Sequence, residues 1–118
     1  MKSQAFPKTQ RLASKKLIEQ LFEKGKAINL KPIRLITLQN PDQQTSNHQA
    51  LFTVPSRNFK RAVDRNLLKR RMREAYRLNK SLLPAEPKWL LAYIYIDKEI
   101  LPYEPIEQKM VESLKRLK

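Results

Sequence analysis

Apolar residues recur with helical spacing near the start of the chain. One apolar face is formed by Leu17, Ile18, Leu21 and Phe22. Ser14 stands just before this face, where a serine side chain can cap the first helical turn. Gly25, the only glycine, follows it at the position where a left-handed glycine commonly ends a helix. The pattern predicts a first helix over residues 15–25.

Two more helices are predicted further along the chain. Residues 62–82 contain no glycine or proline, and Pro84 and Pro87 then stop the helical pattern. Pro105 suits the first position of a last helix, where its missing N–H costs nothing. The inner face of that last helix is formed by Ile106, Met110, Leu114 and Leu117.

The remaining apolar stretches are typical of strands. Residues 33–39 and 49–54 are separated by a polar loop and are predicted to form an antiparallel hairpin. The pattern also allows a short strand at residues 27–30. Residues 89–96 are almost all apolar, as in a strand that is buried on both faces. These elements follow the order α-β-β-(β)-α-β-α, which indicates a small two-layer α+β sandwich.

A chain of 118 residues fits one domain over residues 1–118, with residues 1–10 as a flexible basic N-terminus. The N-terminus lacks the apolar segment of a secretory signal, and the longest apolar run is too short for a bilayer. We therefore expect a cytoplasmic protein. The absence of cysteine excludes disulfides, thiolate metal sites and cysteine nucleophiles.

Charge adds the strongest functional indication. Lys and Arg number 25 against 11 Asp and Glu, a net charge of +14, which favours a polyanionic partner such as nucleic acid. Residues 57–80 hold ten of the basic residues and two acidic ones, a net of +8. The basic residues are Arg57, Lys60, Arg61, Arg65, Lys69, Arg70, Arg71, Arg73, Arg77 and Lys80.

Most of these cations share one face of the predicted long helix. Its polar arc contains Arg65, Asn66, Lys69, Arg70, Arg73, Arg77 and Lys80. The other side contains Val63, Leu67, Leu68, Ala75, Leu78 and Leu82, with Met72 at its margin. Arg71 projects from the apolar side, so it must either extend to the surface or pair with a carboxylate. Like charges four residues apart repel, so a merely solvated face should mix signs, and this one favours a polyanion.

Groups for protein-based catalysis are scarce. Asp97 and Glu99 are a closely spaced carboxylate pair beside a strand end, which more often forms a turn than a metal site. His48, the only histidine, is expected to be a solvated loop residue. Phe22, Tyr93 and Tyr95 favour core positions, although a sheet face with two tyrosines beside the first helix is also compatible with stacking of RNA bases.

The segment 59–77 resembles the signature of the bacterial ribonuclease P protein subunit. The pattern is matched in register by Ala62, Val63, Arg65, Asn66, Lys69, Arg70, Arg73 and Glu74. The order of the flanking elements is similar too. Four positions depart from the pattern, namely Ser56, Phe59, Leu67 and Ile18, and they put single RNA or leader contacts in doubt.

This resemblance implies a ribosomal-protein-like fold with a left-handed βαβ crossover. It implies binding of the catalytic RNA of ribonuclease P through Arg57, Lys60, Arg61 and the polar arc of the long helix. It also implies a cleft for the 5′ leader of precursor tRNA, lined by Ile18, Phe22 and Ile36. Cleavage would depend on Mg²⁺ held mainly by the RNA, with no catalytic residue and no tightly bound metal in the protein.

Other classes of protein stay open at this level. A structural RNA-binding protein, such as a ribosomal protein, would carry the same basic helix. A helix-turn-helix DNA binder would need a second helix joined to it by a short turn, which the pattern lacks. A membrane-surface helix would carry bulky aromatic residues opposite its charges, whereas this one carries Leu and Ala.

Overall fold

The computed structural model of this chain describes residues 10–117. The predicted α+β class and element order are confirmed, including the short additional strand. A single turn of 3-10 helix at Lys80–Leu82 prolongs the second helix. The elements are α1 (Lys15–Lys24), β1 (Lys26–Leu30), β2 (Ile33–Gln39), β3 (Gln49–Thr53), α2 (Ala62–Asn79), β4 (Trp89–Tyr95) and α3 (Tyr103–Lys115).

The expectation of a flexible N-terminus concerns residues 1–10, of which residues 1–9 lie outside the described residues. Gln10 is described, and its side-chain oxygen accepts a hydrogen bond from Lys80 Nζ at 2.7 Å. Leu12 N donates to Ala50 O at 2.9 Å. The chain is therefore already attached to β3 and to the 3-10 turn after α2 before α1 begins.

The four strands form one sheet in the order β1-β2-β4-β3. β2 pairs antiparallel with β1 and β4, and β3 pairs parallel with β4. The predicted hairpin between β2 and β3 is wrong, because β4 lies between them. The reason is the apolar character of β4, which is best buried when strands flank it on both sides and helices cover both faces. Two parallel neighbours need a crossover connection, and α2 supplies it.

α2 and α3 cover one face of the sheet. Leu35, Leu91 and Tyr93 are fully buried in the cluster beneath them. Burial raises the pKa of Tyr93, whose hydroxyl lies 3.3 Å from Ser113 Oγ. Tyr95 is buried in the same cluster, and its hydroxyl donates to Glu99 O at 2.6 Å. Both tyrosines are core residues beneath α2 and α3 rather than a stacking platform beside α1.

α1 packs on the opposite face. Ser14 caps it as predicted, with Leu17 N donating to Ser14 Oγ at 3.3 Å. The predicted left-handed conformation of Gly25 is wrong, since its φ of −73° and ψ of 162° are extended. Glycine is required there for lack of space, because a Cβ atom would lie 2.4 Å from Leu21 O and 2.7 Å from Ile36 Cγ2. The end of α1 can thus lie directly against β2.

α2 is anchored by one stripe of side chains. The fully buried members are Leu68, Met72, Ala75 and Tyr76. Met72 therefore lies at the centre of the buried stripe and not at its margin. The expectation that Val63 and Leu78 pack inside is wrong, because Val63 is 59% exposed and Leu78 is 36% exposed. The stripe is rotated because α2 must contact both β3 and α3. Arg71 does not pair with a carboxylate. Its side chain is half-buried, and its Nη1 donates a hydrogen bond to Leu101 O.

α3 begins two residues before the predicted position, with Tyr103 as its first residue, so Pro105 occupies its third position. The first-turn N–H groups have no helical acceptors, and a proline at this place loses no helical hydrogen bond. Its predicted inner face is confirmed, since Ile106, Met110 and Leu114 are fully buried. Leu117 is buried just beyond the end of the helix.

His48 is a structural residue rather than a solvated one. Trp89 N donates to His48 Nδ1 at 3.0 Å, and His48 Nε2 lies 2.9 Å from Pro84 O. Because Nδ1 must accept, the ring is neutral and carries its proton on Nε2. Burial lowers the pKa of His48, and the nearby charge of Lys88 acts in the same direction. The ring thus ties the start of β3 to the start of β4.

We predict that Leu68→Ala lowers the free energy of unfolding by about 2–5 kcal/mol, because it truncates a fully buried side chain. Leu78→Ala is the matched control on the same helix and should lower it by less than about 1 kcal/mol, because Leu78 is partly exposed. Urea denaturation followed by circular dichroism measures both values. Equal losses would contradict the orientation of α2.

We also predict that stability falls as the pH is lowered past the titration of His48. The pKa of His48 is lowered in the folded state, so its contribution is complete above the unfolded value of about 6.5 and is lost as pH falls through the folded value. Protonation of Nδ1 also removes the acceptor for Trp89 N. The urea midpoint should drop between pH 7.5 and 5.5. His48→Gln, which has no titrating ring, should show a clearly smaller drop.

Candidate nucleic-acid interface

The central cations of α2 point away from the protein. Arg70 and Arg73 are exposed and Lys69 is half-buried. None of the three forms a hydrogen bond or ion pair within residues 10–117. The buried stripe explains their orientation, because residues on the other side of an amphipathic helix must face solvent. Asn66 is exposed one turn before Arg70.

A short loop before α2 adds three exposed cations, namely Arg57, Lys60 and Arg61. Arg61 precedes the first residue of the helix, and its Nε lies 3.9 Å from Asp64 Oδ2. Because the Arg61 side chain is 76% exposed, this ion pair contributes little to stability. The loop therefore extends the positive surface beyond the N-terminus of α2.

Arg65 has an additional role that its sequence position did not indicate. Its Nη1 donates to Phe59 O at 2.7 Å and to Lys60 O at 2.9 Å. Phe59 is itself buried, with its ring 5.8 Å from that of Tyr95 in an edge-on arrangement. Arg65 thus ties the cationic loop to α2, while the core holds the loop from below.

The cations at the end of α2 already have partners within the protein. Arg77 Nε donates to Glu74 Oε1 at 3.0 Å, and this hydrogen bond lowers the pKa of Glu74. Lys80 Nζ donates to the side-chain oxygen of Gln10. Burial lowers the pKa of Lys80, and the positive charge of Arg77 lowers it further. The members of the predicted set from Arg57 to Lys80 are therefore not equally available to a ligand.

A small groove of about 200 Å³ follows the outer edge of β3, where residues 11 and 12 meet Ala50. Arg11 and Arg73 line it, together with Leu51 and Phe52. The backbone hydrogen bond from Leu12 to Ala50 brings Arg11 to this position. Charge density along the chain did not single out Arg11, because only the folded chain brings it near α2.

The predicted leader-cleft residues lie on the α1 side of the sheet. Ile18 and Ile36 are half-buried in the cluster between α1 and the sheet. Phe22 does not belong to the core, since 46% of its surface is exposed.

One row of the same sheet face lies outside the cluster with α1. It contains Arg34, Ile94 and Thr53, which occupy matching positions on β2, β4 and β3. Arg34 is exposed, and its Nε donates to Asn29 Oδ1 at 2.7 Å. Strand alternation places Arg34 on the same face as Ile36, although Arg34 lies outside the basic segment 57–80.

The described carboxylates do not converge. Asp97 Oδ1 accepts from Glu99 N at 2.9 Å, which is the predicted turn. Within residues 10–117, no three His, Cys, Asp or Glu side chains are close enough together to hold a metal ion. None of the described helices has the length and apolar character needed to cross a membrane.

Comparisons with known proteins agree on one family. The family model for ribonuclease P matches residues 6–118. The chain is 32% identical over 115 residues to the ribonuclease P protein component of Porphyromonas gingivalis, covering 93% of this chain and 84% of that one. It is 36% identical over 84 residues to the corresponding protein of Petrotoga mobilis, covering 71% and 68%.

Solved structures show the same fold. The ribonuclease P protein of Thermotoga maritima superimposes with a TM-score of 0.76 at 23% identity, over 92% of this chain and 97% of that one. The Staphylococcus aureus protein gives 0.73 at 17% identity, over 92% and 94%. The outward cations of α2, the shared fold and the match over nearly the whole sequence lead to one conclusion: the chain belongs to the ribonuclease P protein family.

Proposed function

We propose that this chain binds the catalytic RNA of ribonuclease P through α2 and the loop before it, and that it assists removal of the 5′ leader from precursor tRNA. The observation that carries the proposal is the set of outward cations Lys69, Arg70 and Arg73, which have no partner within residues 10–117. Arginine offers a planar fork of donors that fits phosphate oxygens. A helix that keeps such groups unpaired in a family of RNA-associated subunits is best explained by phosphate contacts.

Electrostatics supports the same assignment. Lys69 and Arg73 lie one turn apart and repel by a few tenths of a kcal/mol, a cost that RNA binding would convert into attraction. Arg65 holds Lys60 in the adjoining loop, so the loop presents its cations at a constant distance from the helix. A pre-ordered set of cations loses less entropy when it binds than a flexible tail.

For the leader, the proposal uses the face of the sheet beside α1. Phe22 is a large exposed apolar side chain on α1, which suits stacking with an unpaired base. Ile18 and Ile36 contribute apolar surface. Arg34 lies on the same sheet face as Ile36, and its guanidinium group suits contact with a phosphate. This cleft and the cations of α2 belong to different surfaces, so they can engage two RNA segments at once.

The proposal leaves Mg²⁺ with the RNA. The described carboxylates are scattered or already paired, as Glu74 is with Arg77, so they offer no ligand set that fits the ion. The part of this chain would be to position RNA segments and to reduce the repulsion between them.

Reconstitution tests this function directly. The purified protein is combined with the catalytic RNA from the same source, and cleavage of precursor tRNA is followed at low Mg²⁺ concentration. We expect the protein to increase kcat/KM for precursor tRNA. If it binds other structured RNA equally well and leaves cleavage unchanged, it is a structural RNA-binding protein instead.

Binding of the catalytic RNA should depend strongly on salt. With about five to eight phosphate contacts, the log–log slope should lie between about −4 and −7. Arg73→Ala should weaken binding by about 1–2 kcal/mol and make the slope less negative by about 0.9, because one charge-assisted contact is lost. Lys98→Ala, an exposed control after β4, should change neither value. A wild-type slope near −1 would contradict a phosphate-dominated interface.

Leader binding should depend on Phe22. In the reconstituted complex, Phe22→Ala should weaken binding of precursor tRNA by about 1–3 kcal/mol if a base stacks on the ring. Binding of mature tRNA, which has no leader, should be unchanged. Because Phe22 is 46% exposed, the variant should fold normally, and a thermal melt verifies this. Equal changes for both tRNAs would show that Phe22 does not contact the leader.

A further inference from the structure

A third surface lies beneath the C-terminal end of α3. A hollow of about 610 Å³ opens there between the end of α3 and the edge formed by β1 and β2. Its volume falls within the range of small-molecule binding sites. The lining residues that matter for its chemistry are Lys24, Lys26, Ile28, Thr37, Trp89 and Leu117.

The floor of the hollow is apolar and its rim is basic. Ile28 and Trp89 are half-buried, and Leu117 is buried beside them. Lys24 and Lys26 are exposed on the rim and form no hydrogen bond or ion pair within the described part of the chain. Arg116 also lines the hollow, but its Nη2 is 3.2 Å from Glu112 Oε2.

The sequence around Gly25 explains why the two lysines lie together. Gly25 continues the chain in an extended conformation from α1 into β1, and its lack of a side chain allows close contact with β2. Lys24 ends the helix and Lys26 begins the strand. Both side chains therefore border the same hollow, although they belong to different elements.

Trp89 supplies a planar apolar side chain to the lining of the hollow. Its indole Nε1 is buried and has no hydrogen-bond acceptor among the described residues, which is uncommon in folded proteins. A flat apolar side chain beside two unpaired cations matches a ligand that has a planar base and a negative charge.

We propose that this hollow binds one nucleotide of single-stranded RNA, with its base against Trp89 and its phosphate at Lys24 and Lys26. The proposal rests on the function proposed above, because it takes RNA as the partner. Trp89 also lines a second hollow, where Glu86 is ion-paired with Lys88 at 3.4 Å, so the two unpaired cations lie only in the first hollow and the phosphate belongs there. Ile28, Thr37 and Trp89 lie on the sheet face that α3 covers, and none of the predicted leader-cleft residues Ile18, Phe22 and Ile36 lines the hollow.

The fluorescence of Trp89 provides a direct measurement, because it is the only tryptophan in the chain. The full-length protein is titrated with a five-nucleotide oligouridylate, and both tryptophan emission and the anisotropy of a label on the RNA are recorded. Binding at the hollow should quench or shift the emission in step with the anisotropy. The affinity obtained from the emission change should be the same in Lys98→Ala, because Lys98 is an exposed lysine that does not line the hollow.

The double variant Lys24→Ala/Lys26→Ala tests the phosphate contact. We expect binding reported by Trp89 to weaken at least about tenfold and its salt slope to become less negative by about 1.4, the value for two phosphates on a single strand. Lys31→Ala/Lys98→Ala is the matched control, since it removes the same charge from exposed positions that do not line the hollow. The control should bind like the wild type.

Three results would overturn the proposal. Saturation of the anisotropy without any change in Trp89 emission would place the RNA elsewhere. Equal weakening by the two double variants would reduce the effect to overall charge. An emission change with an acidic peptide but not with the oligouridylate would assign the hollow to another class of ligand.

If the catalytic RNA binds while the emission of Trp89 does not change, only the proposal for this hollow is wrong. If Trp89 responds but the catalytic RNA does not bind, the function proposed above fails instead.

Discussion

The structure depends on burial of β4 on both faces. This strand pairs antiparallel with β2 and parallel with β3, and its side chains alternate between the cluster under α2 and α3 and the cluster under α1. The parallel pairing requires a long connection between β3 and β4, which α2 provides. α1 must then cover the other face, because Leu90 and Ala92 would otherwise be exposed to water. The positions of all three helices follow from the burial of one apolar strand.

The same constraint determines where the charge is displayed. α2 buries Leu68, Met72 and Tyr76, and each such side chain contributes about 1.5–3 kcal/mol when removed from water. Repulsion between like charges one turn apart costs only a few tenths of a kcal/mol per pair. Burial therefore decides the orientation of the helix, and the cations on its other side are held outward despite their mutual repulsion. Arg65 and Arg71 use their donors on backbone carbonyls instead, so they join α2 to its neighbours.

Three surfaces result from this arrangement, and each combines exposed cations with different surroundings. The α2 surface displays the outward cations Arg70 and Arg73, which suit the phosphate contacts proposed above. The α1 side of the sheet carries the exposed side chains of Phe22 and Arg34, and the hollow under α3 combines Trp89 with Lys24 and Lys26. The proposals above assign these surfaces to separate segments of RNA, and the described carboxylates form no cluster that could hold a metal ion.

The sequence by itself determined the elements, the two-sided burial of β4, the inner face of α3 and the basic side of α2, because hydrophobic periodicity reports which side of an element turns inward. It also carried the family signature at Arg65, Asn66 and Arg73. Only the tertiary structure decided which elements are neighbours. The insertion of β4 between β2 and β3, the contact of His48 with Trp89 and the exposure of Phe22 and Leu78 all depend on partners far away in the chain. Gly25 shows the reason most simply: a local rule predicted a left-handed cap, but the space beside β2 required a residue without a side chain.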